Sequence, residues 1–285
     1  MRLQSFIIPL VATVFASCTP TTDQPRQRNT PLNTKTITAD LPSADLSAET
    51  PTKPETPSYP TTAPLISRKV INGIEFEGVS FDSRSHRLAV IDQPGGPGST
   101  YDSSAAVAKS KNALLAINAG FFTPEGTPLG LVVSGGKTSG GWNSASSLGN
   151  GIFRESNGGA LSITRRSSRS SVSSSRELIQ AGPLLLENGK PITGLDSGKS
   201  ALRSIILTDG NSRWWIGKTS SCTLAALGKA LSSSSPASWR IDDALNLDGG
   251  RSTDLYISSR ILGGPINRRS FLNRPVRNFL IVLPR

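Results

Sequence analysis

Ile66-Ser67-Arg68-Lys69-Val70-Ile71-Asn72-Gly73-Ile74-Glu75-Phe76-Glu77-Gly78-Val79-Ser80-Phe81 is the stretch that decides the fold class. Two runs rich in β-branched and aromatic residues flank Asn-Gly, the dipeptide that most readily takes both positive-φ positions of a tight hairpin turn. An antiparallel hairpin is predicted here, and short apolar runs bounded by Gly, Pro, Asn or Ser recur from it to the C-terminus. Further strands are expected over 87–91, 113–117, 130–134, 151–153, 160–163, 184–186, 204–207, 213–216, 244–247, 255–257 and 278–283. Asn188-Gly189 signals a second hairpin turn. Helix signals are few: 101–109 follows a Ser/Asp-rich start, and 223–231 puts Leu224, Leu227 and Leu231 on one face. The expected class is α+β, a β-dominated single domain with a large twisted mixed sheet and few helices.

Upstream the composition changes. Met1-Arg2, the apolar run Phe6 to Phe15 and the small residues Ala16-Ser17 read as a signal peptide over residues 1–17, too short in its apolar part to be a comfortable membrane span. Cys18 follows as in a bacterial lipoprotein cleavage site, which would lipidate that cysteine, anchor the chain to a membrane and place it in the cell envelope. An ordinary signal-peptidase cut nearby is the other reading. Residues 18–64 are Thr, Pro, Ser and charged residues that cannot bury enough apolar surface to offset their ordering entropy, so a disordered stalk is expected. That leaves 65–285 for one folded domain with a proper core.

With 31 Lys and Arg against 20 Asp and Glu, the net charge of +11 calls for an anionic partner or surface. Part of it lies in the Ser/Arg tract 165–176, expected to be a solvated loop. Nucleic acid would be the obvious partner of such a run. An exported protein rarely meets it, so none is expected; phosphorylated glycans and anionic envelope polymers are nearer at hand.

Histidine and cysteine are too scarce for several chemistries. The one histidine, His86, lies in Ser83-Arg84-Ser85-His86-Arg87, which reads as an exposed hairpin tip, so neither a Ser-His-Asp triad nor a zinc site is expected. Cys222, followed by Thr223-Leu224-Ala225-Ala226-Leu227, reads as a buried, inert helix position. Acid–base chemistry then falls to carboxylates, tyrosine, lysine or water on a metal.

The chemistry-bearing motifs share one design, an apolar strand that runs into a small polar turn. In Asn246-Leu247-Asp248-Gly249-Gly250-Arg251-Ser252-Thr253-Asp254 a carboxylate, two glycines and two hydroxyls follow Ala244 and Leu245. In Ala116-Ile117-Asn118-Ala119-Gly120-Phe121-Phe122 an amide, a glycine and two aromatics do the same, with Gly120 free to hold a positive φ. Gln180-Ala181-Gly182-Pro183-Leu184-Leu185-Leu186 and Arg274-Pro275-Val276-Arg277-Asn278 complete the set, and Arg203 precedes the apolar run Ser204 to Leu207.

In this order the motifs resemble the phosphodiester glycosidase domain family, whose bacterial members are often labelled exopolysaccharide-biosynthesis proteins. The resemblance runs from about Ile66 to the C-terminus. It implies an exported or envelope-anchored hydrolase that cleaves sugar-1-phosphodiester bonds in phosphorylated glycans or exopolysaccharide. Asp248, Arg203 and Arg274 would be the catalytic residues, the carboxylate nearest the reacting bond and the arginines on the phosphodiester anion. Asn118, Gly120, Gly182, Gly249, Gly250, Ser252, Thr253 and Asn278 would bind substrate, the turn amides adding donors for developing charge. A glycosidic step calls for a second carboxylate roughly 5 to 10 Å from the first, with Glu125, Asp209 and Asp254 as candidates and Asp254 the least well aimed. Oxygens of Asp248, Asn118 and the backbone could hold Ca²⁺ or Mg²⁺ as a cofactor. Arg251 stands where the family usually has a third glycine. Its side chain either points to solvent or reaches an anionic group of the substrate. The alternative to an enzyme is a non-catalytic glycan-binding or exopolysaccharide-assembly lipoprotein with the same pocket.

Overall fold

A computed structural model describes residues 63–285. The expected signal peptide, Cys18 and nearly all of the stalk lie outside the described residues. In chain order the strands are β1 (Leu65–Ile71), β2 (Ile74–Asp82), β3 (His86–Asp92), β4 (Leu115–Asn118), β5 (Val132–Ser134) and β6 (Lys137–Ser139). There follow β7 (Gly151–Ser156), β8 (Leu161–Arg165), β9 (Ser175–Ala181), β10 (Leu184–Glu187), β11 (Lys190–Pro191) and β12 (Ser204–Thr208). The last are β13 (Arg213–Thr219), β14 (Asp243–Asn246), β15 (Asp254–Ile257), β16 (Ile266–Arg269) and β17 (Asn278–Pro284). Two α-helices accompany them, α1 (Ser104–Ser110) and α2 (Leu224–Ser233). Ser103 and Thr223 cap their N-termini with side-chain oxygens, accepting from the amides of Ala106 and Ala226.

The β-dominated class with few helices is what the fold has. The single large mixed sheet is not: the described strands form a seven-stranded sheet in the order β1-β2-β13-β12-β14-β10-β11 and two five-stranded sheets, β16-β15-β4-β17-β3 and β6-β5-β9-β7-β8. The ladders of all three are antiparallel. The expectation failed for a physical reason. Near-continuous apolar runs are typical of parallel strands buried on both faces, and here helices bury the second face of antiparallel ones. β12 sends Ile206 into a core shared by all three sheets and Ile205 and Leu207 into a second cluster with Leu227 and Leu231 of α2. β17 likewise sends Leu280 and Val282 to the shared core, while Phe279 and Ile281 pack with Val107 and Ala108 of α1.

The opening hairpin forms as read, with Ile71 opposite Ile74 across Asn72 and Gly73 at φ 49° and 76°. Three other expectations need correction. His86 is buried at 8% exposure, its Nδ1 2.8 Å from the Ser85 hydroxyl and its ring edge-on to Phe81, because it begins a strand instead of capping a turn. Cys222 is buried, yet it lies before the helix in a bridge to Ala201, where burial pushes its thiol up. The Ser/Arg tract is largely structured: Arg165 ends β8 and pairs with Glu187 at 2.6 Å, Arg166 donates to the Ser146 carbonyl, and Ser175-Arg176 begin β9.

Candidate functional site

Antiparallel pairing brings several motif-bearing strand ends together. β12 and β14 run in opposite directions, so Ser204 at the start of one accepts from the Leu247 amide just past the end of the other, at 2.8 Å. In the neighbouring sheet Asn118 ends β4 where β15 and β17 begin, with Phe279 opposite Asn118 and Leu255 opposite Ile117.

Asn118 joins the two sheets. Fully buried, it donates Nδ2 to the Asp248 carbonyl at 2.7 Å, while its Oδ1 accepts from the Ser204 hydroxyl at 2.6 Å and the Asp254 amide at 3.1 Å. Three of the four bonds an amide side chain makes are thereby spent inside the protein. Asn118 is therefore a strut under Asp248, with one of its four hydrogen-bonding positions left over.

Asp248 is held from both ends. Its amide donates to the Ala119 carbonyl at 2.8 Å, and its Oδ1 accepts from the Gly249 amide at 2.8 Å. Burial pushes the carboxyl up to about 6; hydrogen bonds from Ser252 and Gly249 only partly oppose that rise. Neither an arginine nor another carboxylate contributes to the shift.

The two glycines beyond it are required for different reasons. A β-carbon on Gly249 would lie 2.4 Å from the Leu202 carbonyl oxygen, and Gly250 has φ +61°. Their amides are not available to a substrate in this arrangement, since Gly249 serves Asp248 and Gly250 donates to the Leu202 carbonyl at 2.8 Å. Gly120 does not take the positive φ expected of it. Its amide donates to Asn278 Oδ1 at 2.6 Å, and a β-carbon would crowd that oxygen at 3.3 Å. Gly182 is also a packing glycine, with the Ser147 carbonyl 2.3 Å from any β-carbon, and its own carbonyl accepts from Asn246 Nδ2.

Seven buried side-chain polar atoms lack a partner among the described residues, and four of them belong to this cluster: Asn246 Oδ1, Thr253 Oγ1, Asp254 Oδ1 and Asn278 Nδ2. Each such group costs about 1–3 kcal/mol unless water or a ligand pairs it. Cavities of about 430 and 390 Å³ elsewhere, lined by Lys69, Trp239 and Arg240 and by Arg68, Lys218 and Arg268, share no residue with it.

The expected arginines occupy unequal positions. Half-buried Arg203 donates Nε to the Cys222 carbonyl at 3.2 Å and Nη2 to the Lys199 carbonyl at 2.8 Å, which fixes the guanidinium. Arg274 is exposed. The buried arginine of its motif is Arg277, which grips Asp92 with Nε and Nη2 at 2.8 and 2.9 Å. Arg251 is exposed as well.

None of the three acids considered as a second carboxylate is brought to Asp248 by a contact. Glu125 is exposed in a turn, and Asp209 lies beyond the far end of β12, paired with Arg213 at 2.7 Å. Asp254 turns toward α1, where Oδ2 accepts from the Ser104 amide at 2.8 Å and burial raises its carboxyl. No group of three or more His, Cys, Asp or Glu suited to a metal exists among the described residues. Ser204, Asn246 and Asn273 belong to the cluster but not to the sequence-based site. Ser204 did carry a signal, a hydroxyl at the head of an otherwise apolar run.

The sequence profile of the phosphodiester glycosidase family matches residues 111–283. The chain belongs to that family. The catalytic domain of zebrafish N-acetylglucosamine-1-phosphodiester alpha-N-acetylglucosaminidase, auto-inhibited by its pro-peptide, is similar in fold, with TM-score 0.53 and 19% identity over 78% of this chain and 83% of that one. A hypothetical protein from Synechocystis gives TM-score 0.55 and 16% identity over 80% of this chain and 64% of that one. No curated protein matches. The family match spans Asn118, Asp248, Asn278 and every strand from β4 onward, so the strand-end cluster lies wholly within the family's domain.

Proposed function

We propose that this phosphodiester glycosidase family member hydrolyses the bond between a sugar anomeric carbon and a phosphodiester oxygen, releasing a free sugar and a phosphomonoester. The observation that carries the reading is Asp248, a half-buried carboxyl with pKa about 6 fixed on a strand end by Asn118 and Gly249. A group with that pKa accepts a proton near neutral pH and releases it again each turnover. The proposed step is inverting. Asp248 takes a proton from water as its oxygen bonds to the anomeric carbon, and the departing oxygen leaves with the bonding electrons as part of a phosphomonoester.

One carboxylate is enough for this step. In ordinary glycoside hydrolysis a second acid protonates a poor alkoxide leaving group. A phosphomonoester is a far better one, since its second pKa is about 6. In the proposal Arg203, braced by two carbonyls, binds the scissile phosphodiester, while Ser252, Thr253 and Asn278 supply further donors. A single carboxylate and a spent amide are a thin donor set for Ca²⁺ or Mg²⁺, which favour several oxygens, so turnover in chelator is expected to match turnover with added ion. Export to the cell envelope belongs to the same proposal. It is supported by the leader-like N-terminal sequence and by a fold match to a Burkholderia pseudomallei protein named as a candidate exported protein, with TM-score 0.50 and 12% identity over 74% of each chain. No helix of the described residues is long and apolar enough to cross a membrane.

The test is release of sugar from a panel of α- and β-sugar-1-phosphodiesters by the full chain. Asp248→Asn should lower kcat/KM by about 10² to 10⁴, and the wild-type kcat/KM should fall tenfold per pH unit below about 6, where Asp248 is protonated. Full turnover by the variant would remove Asp248 from the chemistry. Binding of the panel without release would favour a glycan-binding protein.

A further inference from the structure

We propose that Arg251 and Arg274 form a second anion subsite on the rim above Asp248, and that the substrate is a polyanionic glycan carrying a further phosphodiester beside the one cleaved. The inference rests on the reading of Asp248 as the cleavage site. Both arginines are exposed, and neither makes a hydrogen bond or ion pair with any described residue. Arg68 and Arg268, by contrast, are spent on Glu77 and Arg213 on Asp209, while Arg176 and Arg240 are exposed and unpaired but belong to segments outside the strand-end cluster.

The backbone ties the two free guanidinium groups to the site and to each other. Arg251 lies in the turn Gly250–Ser252, three residues beyond Asp248 and directly before Ser252, whose side chain partly offsets the rise of the Asp248 carboxyl. Arg274 follows Asn273, whose side-chain amide donates to the Thr253 carbonyl. Thr253 is two residues from Arg251, at most about 7 Å along the chain, so one hydrogen bond joins both segments of the rim. From Arg268 to Asn278 there are four arginines and no acidic residue. Three of them are paired with carboxylates from other segments, Arg268 with Glu77, Arg269 with Asp254 and Arg277 with Asp92, so Arg274 carries the segment's free charge, and the net charge of +11 adds long-range attraction. A guanidinium keeps its charge at all relevant pH and its fork fits phosphate oxygens. Phe271 and Leu272, exposed at 96% and 67% on the same loop, give the next sugar ring of such a polymer an apolar face.

The experiment compares two probes by calorimetric titration of the full chain carrying Asp248→Asn, so that neither is consumed. One is a methyl hexose-1-phosphodiester with a single charge; the other is a hexose trimer joined through 1-phosphodiester links. The trimer should bind at least tenfold more tightly at low salt, with an advantage that shrinks as salt rises. Adding Arg251→Gln should remove most of that advantage and leave the single diester within about twofold, and Arg274→Gln should also weaken the trimer. Equal affinity for the two probes, an advantage that survives Arg251→Gln, equal weakening of both probes, or no binding of either would overturn the subsite. Wild-type turnover of the single diester is read separately. Turnover without trimer preference sinks the subsite alone, and trimer preference without turnover sinks the enzymatic reading alone.

Discussion

Asp248 stores a conflict between stability and chemistry. Its folded-state pKa of about 6 lies above the ordinary 3.8 because burial disfavours the charged form. Between those values the folded chain binds more protons than the unfolded one. The carboxyl is therefore best tolerated below about pH 4, and folding loses stability as pH rises through 6. That shift corresponds to about 3 kcal/mol as an upper bound. Asp248→Asn keeps an oxygen for the Gly249 amide and removes the charge, so the inactive variant should be the more stable protein at pH 7.5, with the difference vanishing near pH 4. Urea unfolding of both proteins at the two pH values measures this. A variant no more stable than wild type at pH 7.5 would mean that water reaches the carboxylate freely.

At the scale of elements, the site depends on how strand ends are tied together. Asn118→Ala would leave the Ser204 hydroxyl, the Asp254 amide and the Asp248 carbonyl without their shared partner. Unpaired buried groups at about 1–3 kcal/mol each, partly relieved by water, give an expected loss of about 2–4 kcal/mol. The variant should also lower kcat more than it raises KM, because it loosens the proposed base instead of a substrate contact; a change confined to KM would return Asn118 to the role of ligand. The elements themselves were unequally legible. Asn72-Gly73 and Asn188-Gly189 announced their hairpins because few other residues take two successive positive φ angles. β9 escaped notice because its first residues belong to a polar Ser/Arg tract and acquire their order from ladders with β5 and β7. β6 and β16 carry no strand signal, because three polar residues, or three after a lone Ile266, show no period. The ends of β4, β14 and β17 stood out by their Asn and Asp turns. That Asn118 would be consumed by its neighbours, and Asp209 carried to the far end of β12, depended on register, which one strand does not encode.

At the scale of the whole folded region, three sheets share one apolar core, and the contact between Phe153 and Trp214 shows how. β7 of one sheet and β13 of another meet there edge to face, with ring centroids 6.0 Å apart and planes at 83°. Both side chains are fully buried, and the same core holds Leu280 of the third sheet, whose strand begins at Asn278 in the site. Sheets joined this way lose their contacts together, so residues 63–285 should unfold in one cooperative step. Phe153→Ala removes a large core side chain at an expected cost of about 3–5 kcal/mol. Because the core is common, the loss should appear at one denaturant midpoint in tryptophan fluorescence, which is weighted toward the seven-stranded sheet by Trp214, Trp215 and Trp239 with Trp142 on a five-stranded one, and in far-UV circular dichroism, which reports all three. Separate midpoints would mean that the five-stranded sheets unfold on their own. In that case the Asn118 strut would be the weak link between the sheets that carry the site.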